Sequence, residues 1–269
     1  MGVILITGGS GHLGRDLVRE LLAQKRTVRV LSRATGTDPT VQWTHGDLAT
    51  GAGVEQAVQD IHTVVHAATL SPIARRGSVR ITDFFTTPSS VDIDGTRRLL
   101  EAAQRAGVRH FLFVSIVGLQ DSSLPYSRVK LAGERMVRES SLPWSVVRAT
   151  PFFYLMAQML RSFQWWPVWP LPDAPCNPID TSDVARYLIE CADDGGRGMR
   201  PDIGGPETMS FADFGRQYQR AHNVHRPLVP VRVSAKFAHT MGFVTSGSGR
   251  LGGKTWAAWL AEQQRASGR

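Results

Sequence analysis

The sequence predicts an α/β fold in which helices cover both faces of a doubly wound parallel sheet. Three observations support this prediction. Short, β-branched runs alternate along the chain with longer amphipathic stretches, the short runs are continuously apolar rather than alternating, and a glycine-rich turn follows the first of them. At 269 residues, with 42% hydrophobic residues, the chain is long enough to bury a sizeable core.

Six apolar runs read as strands because they are short, rich in β-branched residues and bounded by turn-forming residues. They span residues 3–7, 27–32, 41–45, 63–67, 110–115 and 144–149. Leucines and alanines at helical spacing predict helices over 13–24 and 96–106, and a later one over 182–191, which we expect Asp183 to cap.

The pattern changes after Thr150, where six prolines fall within 28 residues among aromatic side chains and methionines. We therefore divide the chain into a core over 1–150 and a smaller, irregular C-terminal region over 151–269. No flexible linker separates them, so we expect the second part to pack on the first and form one structural domain. Ligands bind such folds at the carboxyl ends of the strands.

The loop TGGSGHLG follows the first strand and opens the first predicted helix. Its glycines allow a tight turn, the approach of backbone N–H groups to a pyrophosphate, and close packing of helix on strand, which predicts a Rossmann-type dinucleotide site. The phosphates are expected at the positive end of the helix. The predicted cofactor contacts are Thr7, Gly8, Gly9, Ser10, Gly11, His12, Leu13 and Gly14.

The end of the second strand predicts which cofactor binds. An acidic residue there accepts hydrogen bonds from the ribose of NAD, whereas an arginine accommodates the 2′-phosphate of NADP. This chain has Ser32 and Arg33 and no acid, which favours NADP, with NADPH preferred over NADH. Two further strand ends complete the predicted cofactor contacts: Gly46, Asp47 and Leu48, then Ala67, Ala68 and Thr69.

Tyr126 and Lys130 stand four residues apart in PYSRVK, so on a helix they share a face. A lysine beside a phenol stabilises the phenolate and lets the tyrosine exchange a proton with a carbonyl or alcohol oxygen during hydride transfer.

Taken together, TGGSGHLG, HAAT, VDIDGTRRLLEAA, FVSIVG, PYSRVK, LPWSVVRAT and PIDTSDVA resemble the short-chain dehydrogenase/reductase superfamily, and within it the atypical, NmrA-like branch. The resemblance implies that Tyr126 is the catalytic acid/base, and that Lys130 assists it and contacts the cofactor. The superfamily's catalytic serine falls on Ser115 or on the next residue, Ile116, and Asp92 stands where many relatives have asparagine.

The resemblance also implies that the substrate binds in the C-terminal region. Aromatic residues follow the sixth strand there, and we expect a bulky apolar or aromatic substrate. The predicted substrate contacts are Phe152, Phe153, Tyr154 and Trp165.

These features predict an NADP-dependent oxidoreductase that transfers a hydride between NADPH and a carbonyl or related group. One alternative is a regulator that senses NADP(H) without turnover. Another is a non-redox enzyme of the same fold, such as an epimerase, dehydratase or isomerase.

The formal charge of +8 comes from scattered lysines and arginines without a basic stripe, so we expect no nucleic-acid partner. Cys176 and Cys191 are too few for a disulfide framework, and neither they nor the dispersed histidines suggest a metal site. No apolar run reaches the roughly 20 residues of a membrane helix, and the chain opens on a strand rather than a signal peptide. We expect a cytoplasmic monomer or homodimer with no membrane partner.

Overall fold

The computed structural model describes residues 2–34, 36–69, 90–122, 125–247 and 249–267. All six predicted strands are present, with ends shifted by at most two residues. They are β1 (Val3–Thr7), β2 (Val28–Ser32), β3 (Gln42–His45), β4 (Ile61–His66), β5 (His110–Ile116) and β6 (Trp144–Ala149). Shorter strands follow: β7 (Trp169–Pro172), β8 (Pro175–Cys176), β9 (Gly198–Met199), β10 (Ile203–Gly204), β11 (Met209–Ser210), β12 (Leu228–Val231) and β13 (Arg250–Leu251).

The main sheet has the strand order β13-β10-β6-β5-β4-β1-β2-β3, and its strands pair in parallel. The chain runs outward from β1 to β3, then returns to β4 on the other side of β1. This reversal is the topological switch point where doubly wound folds bind ligands, and it confirms the predicted fold class. Three short C-terminal strands (β9, β10 and β13) extend the sheet beyond β6, so the core does not end at residue 150.

Helices cover both faces of this sheet. In chain order they are α1 (His12–Ala23), α2 (Val54–Ala57), α3 (Thr96–Arg105), α4 (Pro125–Glu139), α5 (Phe153–Ser162), α6 (Thr181–Asp194), α7 (Phe211–Ala221), α8 (Ala235–Thr240) and α9 (Trp256–Ser267). A π-helical turn over Ser90–Gly95 leads into α3, and a 3₁₀ turn over Leu119–Asp121 precedes α4.

The apolar strands serve two cores because successive side chains point to opposite faces of a sheet. On one face Ile4 and Ile6 pack with Leu17 of α1 and Leu188 of α6. On the other face Leu5, Val64, Phe111 and Phe113 pack with residues of α2, α3 and α4, including Val54, Leu99 and Val137. Strands buried on both faces explain why the sequence shows continuous apolar runs instead of alternation.

A third apolar core lies in the C-terminal region, between α5, α7 and α9. Phe153, Trp169, Phe214 and Trp256 are buried there. Two small sheets border this core: β7 pairs with β12 in parallel, and β8 pairs with β11 antiparallel.

The cap of α6 differs from the prediction. Asp180, not Asp183, is the capping residue, and its carboxylate accepts a hydrogen bond from the Ser182 backbone N–H. Asp183 lies in the first turn, where its carboxylate accepts hydrogen bonds from the backbone N–H groups of Gly253 and Lys254. Asp183 therefore fixes the C-terminal chain onto α6 rather than starting the helix.

Helix α4 lies against β5 at Gly133. A Cβ atom at this position would lie 2.7 Å from Cζ of the buried Phe113 ring. We expect Gly133→Ala to lower the free energy of unfolding by about 1–3 kcal/mol, because packed cores accommodate an added methyl group poorly. Urea denaturation measures this change. The matched control is Gly253→Ala, where a Cβ would meet no atom within 4 Å; an equal loss in both variants would contradict the packing argument.

Candidate active site

A cavity of about 830 Å³ opens at the carboxyl ends of the parallel strands. At one end it is lined by the glycine loop and the ends of β2, β3 and β4. Tyr126 and Lys130 of α4 lie in its middle. Its other end is formed by residues after β6, by α5 and by the segment 239–243. One cavity thus joins the predicted cofactor loop to the predicted catalytic pair.

The glycine loop has a backbone that side chains would obstruct. Gly8 has φ +79°, and a Cβ on it would lie 2.8 Å from the Ala68 nitrogen at the end of β4. A Cβ on Gly14 would lie 2.2 Å from the Gly8 oxygen, because α1 starts directly against the loop. Both glycines are therefore required by the close approach of three chain segments.

The start of α1 fits a pyrophosphate. Gly11 is its N-terminal cap, no side chain caps it, and the first turn contains no acidic residue. The first N–H groups of a helix have no partner within the helix, and they carry partial positive charge. At Gly11 itself a Cβ would meet only the Gly8 oxygen, at 3.3 Å, so the loop is open on the cavity side.

Most of the predicted cofactor contacts line this cavity. They are Gly8, Ser10, Gly11, His12, Leu13, Gly14, Ser32, Arg33, Gly46, Asp47, Leu48, Ala67, Ala68, Thr69 and Lys130. Thr7 and Gly9 lie behind the loop instead. Thr7 Oγ1 hydrogen-bonds to His66 Nδ1 at 2.6 Å, and a Cβ on Gly9 would lie 2.6 Å from Val30 Cγ1. These two residues support the loop from inside the core.

Arg33 is exposed at the edge of the cavity, next to Ser32 at the end of β2. Arg15, in the first turn of α1, is also exposed and lines the same end. Asp47 follows β3, and its Oδ1 accepts a hydrogen bond from the Ala49 N–H at 2.9 Å. Two cations thus border the part of the cavity reached from β2.

A hydrogen-bonded group surrounds the predicted catalytic tyrosine. Tyr126 Oη lies 3.2 Å from Thr69 Oγ1, and Thr69 Oγ1 donates to Asp92 Oδ1 at 2.6 Å. Because a threonine hydroxyl has one proton, Tyr126 is the donor in the first of these bonds. Lys130 Nζ lies 3.4 Å from the same Asp92 oxygen. Sequence reasoning noted Asp92 only as a departure from the family and missed its contacts.

Lys130 and Asp92 are both almost fully buried, with side-chain exposures of 5% and 2%. Burial acts to lower the pKa of Lys130, but the electrostatic influence of Tyr126, the charge and hydrogen bond of Asp92, and the charge of Glu134 outweigh it and raise this pKa. The ammonium also lies 5.3 Å from the centre of the Phe113 ring. Lys130 is therefore held as a cation close to the phenol.

Ser115 lines the cavity, but its hydroxyl proton is used elsewhere. Ser115 Oγ donates to Glu134 Oε1 at 2.6 Å, and Arg148 donates to both oxygens of the same carboxylate at 2.7 and 2.8 Å. Glu134 belongs to α4, Ser115 to β5 and Arg148 to β6. This buried cluster fixes α4 to the sheet, and sequence reasoning missed it because its members lie far apart in the chain.

The predicted substrate contacts divide into two pairs. Phe152 and Tyr154 line the cavity. Phe153 and Trp165 do not: Phe153 points into the third core against Trp256, at a ring distance of 5.3 Å, and Trp165 is 84% exposed to solvent. Phe153 points away from the cavity because neighbouring residues of α5 point in different directions. The lining also includes further apolar residues: Leu155, Met156, Met159, Met241 and Phe243.

His12 and Tyr154 connect the two ends of the cavity. Their rings stack with centroids 4.0 Å apart and an interplanar angle of 16°. Burial, followed by the electrostatic influence of nearby Tyr126, raises the pKa of Tyr154. The stack brings the glycine loop into contact with α5, so the cofactor end and the apolar end are structurally coupled.

Comparison with known proteins gives a consistent result. Residues 8–195 match a family model described as NAD(P)H-binding. The chloroplastic divinyl chlorophyllide a 8-vinyl-reductase of Oryza sativa subsp. indica is 31% identical over 229 residues, covering 76% of this chain and 54% of that protein. A 3-beta-hydroxysteroid dehydrogenase of Mycolicibacterium neoaurum is 34% identical over 140 residues, covering 47% and 38%. The chain thus spans about half the length of these relatives, or less.

Solved structures support the fold. A short-chain dehydrogenase/reductase superfamily protein from Agrobacterium tumefaciens, solved with bound NAD, superposes with a TM-score of 0.71. Its sequence is 20% identical, and the superposition covers 99% of each chain.

Behind the glycine loop, His66 is buried between β1 and α3. Its Nε2 lies 2.8 Å from Thr96 Oγ1, which donates its own proton to the Asp92 carbonyl. His66 therefore donates through Nε2 and accepts from Thr7 at Nδ1, as a neutral ring. Burial first and the charge of Lys130 second lower the pKa of His66 to about 3, although Asp92 raises it.

This histidine predicts a loss of stability in mild acid. An unfolded histidine titrates near 6.5, so the unfolded chain binds the extra proton first, and the free energy of unfolding falls as the pH drops from there towards 3. We expect His66→Gln to remove about 2 kcal/mol of the decline between about pH 7 and about pH 5. Urea denaturation at both pH values measures it. His225→Gln, at an exposed histidine, is the control; an unchanged decline in His66→Gln would contradict this account.

Proposed function

Because the chain belongs to the NAD(P)H-binding family, we propose that it is an NADPH-dependent oxidoreductase of the short-chain dehydrogenase/reductase type, acting on an apolar, ring-containing small molecule. The observation that carries this proposal is the single cavity in which Tyr126 and Lys130 lie between an uncapped glycine loop and an apolar wall. The loop fits a pyrophosphate, the pair fits proton transfer, and the wall fits an apolar ligand.

The chain's own residues supply proton transfer and orientation. When NADPH is bound, it provides the hydride. Tyr126 delivers the proton to the substrate oxygen or carbon that receives it, and the Lys130 ammonium stabilises the phenolate that remains. Thr69 holds the phenol before reaction, since its hydroxyl accepts a hydrogen bond from Tyr126 and donates one to Asp92. Asp92 compensates the buried charge of Lys130, which limits how strongly the lysine attracts the phenolate.

NADPH is favoured over NADH because the border of the cavity beyond β2 is cationic. Arg33 and Arg15 are exposed there, and Ser32 replaces the acid that would repel a 2′-phosphate. The guanidinium group is a cation whose planar donors match phosphate oxygens, so a phosphate at this border gains charge-assisted hydrogen bonds.

The substrate end of the cavity supports an apolar substrate. Leu155, Met156, Met159 and Phe243 line it, and methionine side chains adapt to bulky apolar shapes. The names of the two relatives described above refer to a chlorophyllide and a hydroxysteroid, and both of these molecules are large ring systems. A carbonyl or an activated double bond on such a ring is the proposed hydride acceptor.

Cys176 and Cys191 are buried free thiols, which suits a reducing cytoplasm as the proposed location.

One observation favours a second function, an NADP(H)-sensing regulator without turnover. The Ser115 hydroxyl donates to Glu134, and the next residue, Ile116, has no hydroxyl to polarise a substrate oxygen. Calorimetric titration with NADPH and NADH, followed by absorbance assays of reduced nicotinamide with ketones, quinones and enones, separates the two functions. Binding with turnover supports the enzyme, whereas binding without turnover on any acceptor supports the regulator.

Tyr126→Phe tests the proton donor. We expect turnover to fall by at least about 100-fold, because the phenol proton is lost, while NADPH affinity stays within about twofold. Steady-state assays and calorimetry measure the two quantities. Tyr218→Phe is the matched control, since this tyrosine is buried in the third core. Full activity in Tyr126→Phe would exclude the mechanism.

Arg33→Ala tests the cofactor preference. We expect NADPH affinity to fall about tenfold or more, while NADH affinity changes little, because only NADPH carries the phosphate that Arg33 contacts. Titration with both nucleotides measures the ratio. Arg97→Ala removes an exposed arginine of α3 as a control. Equal losses for both nucleotides would refute the phosphate role.

A further inference from the structure

An exposed group of aromatic and aliphatic side chains lies beyond the C-terminal end of α5. Trp165 is 84% exposed and Trp166 is 52% exposed. Such large apolar side chains in water indicate a binding surface when they lie together and carry a polar border. We call this group and its cations the tryptophan surface: Trp165, Trp166, Val168, Val229, Val231 and Phe237, with Arg161, Arg226, Arg232 and Lys236.

Backbone pairing brings the two segments of this surface together. The Trp169 N–H donates to the Pro227 carbonyl at 2.8 Å, and Val231 pairs with Pro172 at the other end of the β7–β12 sheet. Trp165, Trp166 and Val168 immediately precede β7, and the exposed Val229 and Val231 belong to β12. Phe237 follows on α8, whose Ala238 packs in the third core.

The surface is mainly cationic, although the exposed Asp173, whose backbone N–H donates to the Val231 carbonyl, borders it. Residues 140–172 and 214–261 contain no aspartate or glutamate. Arg161 at the end of α5 lies close enough to His222 to lower the pKa of that histidine, an effect second to burial. Arg226, Arg232 and Lys236 are exposed on the segment that contains β12 and α8. Charge complementarity therefore favours an anionic partner.

We propose that the tryptophan surface docks on an anionic phospholipid bilayer. Tryptophans settle at the level of the lipid headgroups, valines and phenylalanine bury apolar area there, and arginines and lysine are attracted by anionic lipid. A second copy of the chain would bring like charges together, which opposes self-association through this face. The aliphatic members offer no ring for stacking on nucleobases, which disfavours single-stranded nucleic acid.

This docking is peripheral. Within the described part of the chain, no helix is both long enough and apolar enough to cross a membrane. The expectation of no membrane partner rested on the lack of a spanning run, and that argument does not apply to a surface lying on the bilayer.

The position of the surface links it to the cavity. Helix α5 contributes Met159 to the cavity and then leads to Trp165, and α8 carries exposed Phe237 two residues before His239 in the lining. Both chain segments thus lead from the apolar end of the cavity to the tryptophan surface. Access of a lipid-dissolved substrate by this route rests on the proposed function, whereas binding to the bilayer does not.

Vesicle co-sedimentation of the full chain tests the docking. The probes are vesicles of phosphatidylcholine alone and of phosphatidylcholine with phosphatidylglycerol in equal parts. We expect binding to the anionic vesicles and little to the neutral ones, weakening as salt is raised. The variants Trp165→Ala with Trp166→Ala, and Arg226→Glu with Arg232→Glu, should each lose about tenfold in affinity. All four side chains are exposed, so we expect these variants to fold. Unchanged NADPH binding verifies that they have folded.

Two matched controls exclude general effects. Leu251→Ser removes an exposed apolar side chain from the edge of the main sheet, and Arg97→Glu with Arg105→Glu reverses two exposed charges on α3. Loss in the surface variants but not in the controls supports the proposal. No binding to anionic vesicles overturns it, as does binding that the tryptophan variants retain in full. A dimer that the tryptophan variants abolish, without vesicle binding, would assign this face to a second copy instead.

Discussion

The buried ion pair between Asp92 and Lys130 constrains the rest of the site. Removing two charges from water is costly, and breaking such a pair leaves an uncompensated charge, so each side chain requires the other in place. Asp92 is also connected through the Thr96 hydroxyl to His66 and Thr7, and through Thr69 to Tyr126. One hydrogen-bonded network therefore aligns the ends of β1 and β4 with the π-helical turn and the helix that carries Tyr126.

A second buried carboxylate completes this alignment one turn farther along α4. Glu134 accepts hydrogen bonds from Ser115 on β5 and from Arg148 on β6, one turn beyond Lys130. Gly133 beside it lets the helix approach Phe113 closely. The helix that carries Tyr126 and Lys130 is consequently fixed at two successive turns. Ser115, one of the two predicted positions for the catalytic serine, takes part in this attachment.

The sequence predicted the strands, the glycine loop and the Tyr126–Lys130 pair because these depend on local patterns. Short apolar runs that alternate with amphipathic stretches can be recognised from a few neighbouring residues, and so can a glycine spacing. Asp92, Glu134 and Arg148 were not predicted as a group, since their contacts join elements that the chain separates by tens of residues. Phe153 and Trp165 were misassigned for a related reason: composition identified an aromatic segment, but the direction of each side chain depends on the helix phase and on the third core. The capping carboxylate of α6 was misplaced by three residues because DTSD offers two acids, and only the helix start distinguishes them.

Helix α6 packs on α1, although about 160 residues separate them in the chain. Leu17 and Leu21 of α1 share a core with Val184 and Leu188, and Thr181 donates a hydrogen bond to Asp16. During synthesis the glycine loop and α1 leave the ribosome long before α6 does. The part of the apolar side of α1 that faces away from β1 and β2 therefore stays uncovered until nearly three quarters of the chain has been made. A fragment ending at residue 150 would contain every glycine of the loop and still lack the helix that packs on the outer side of α1.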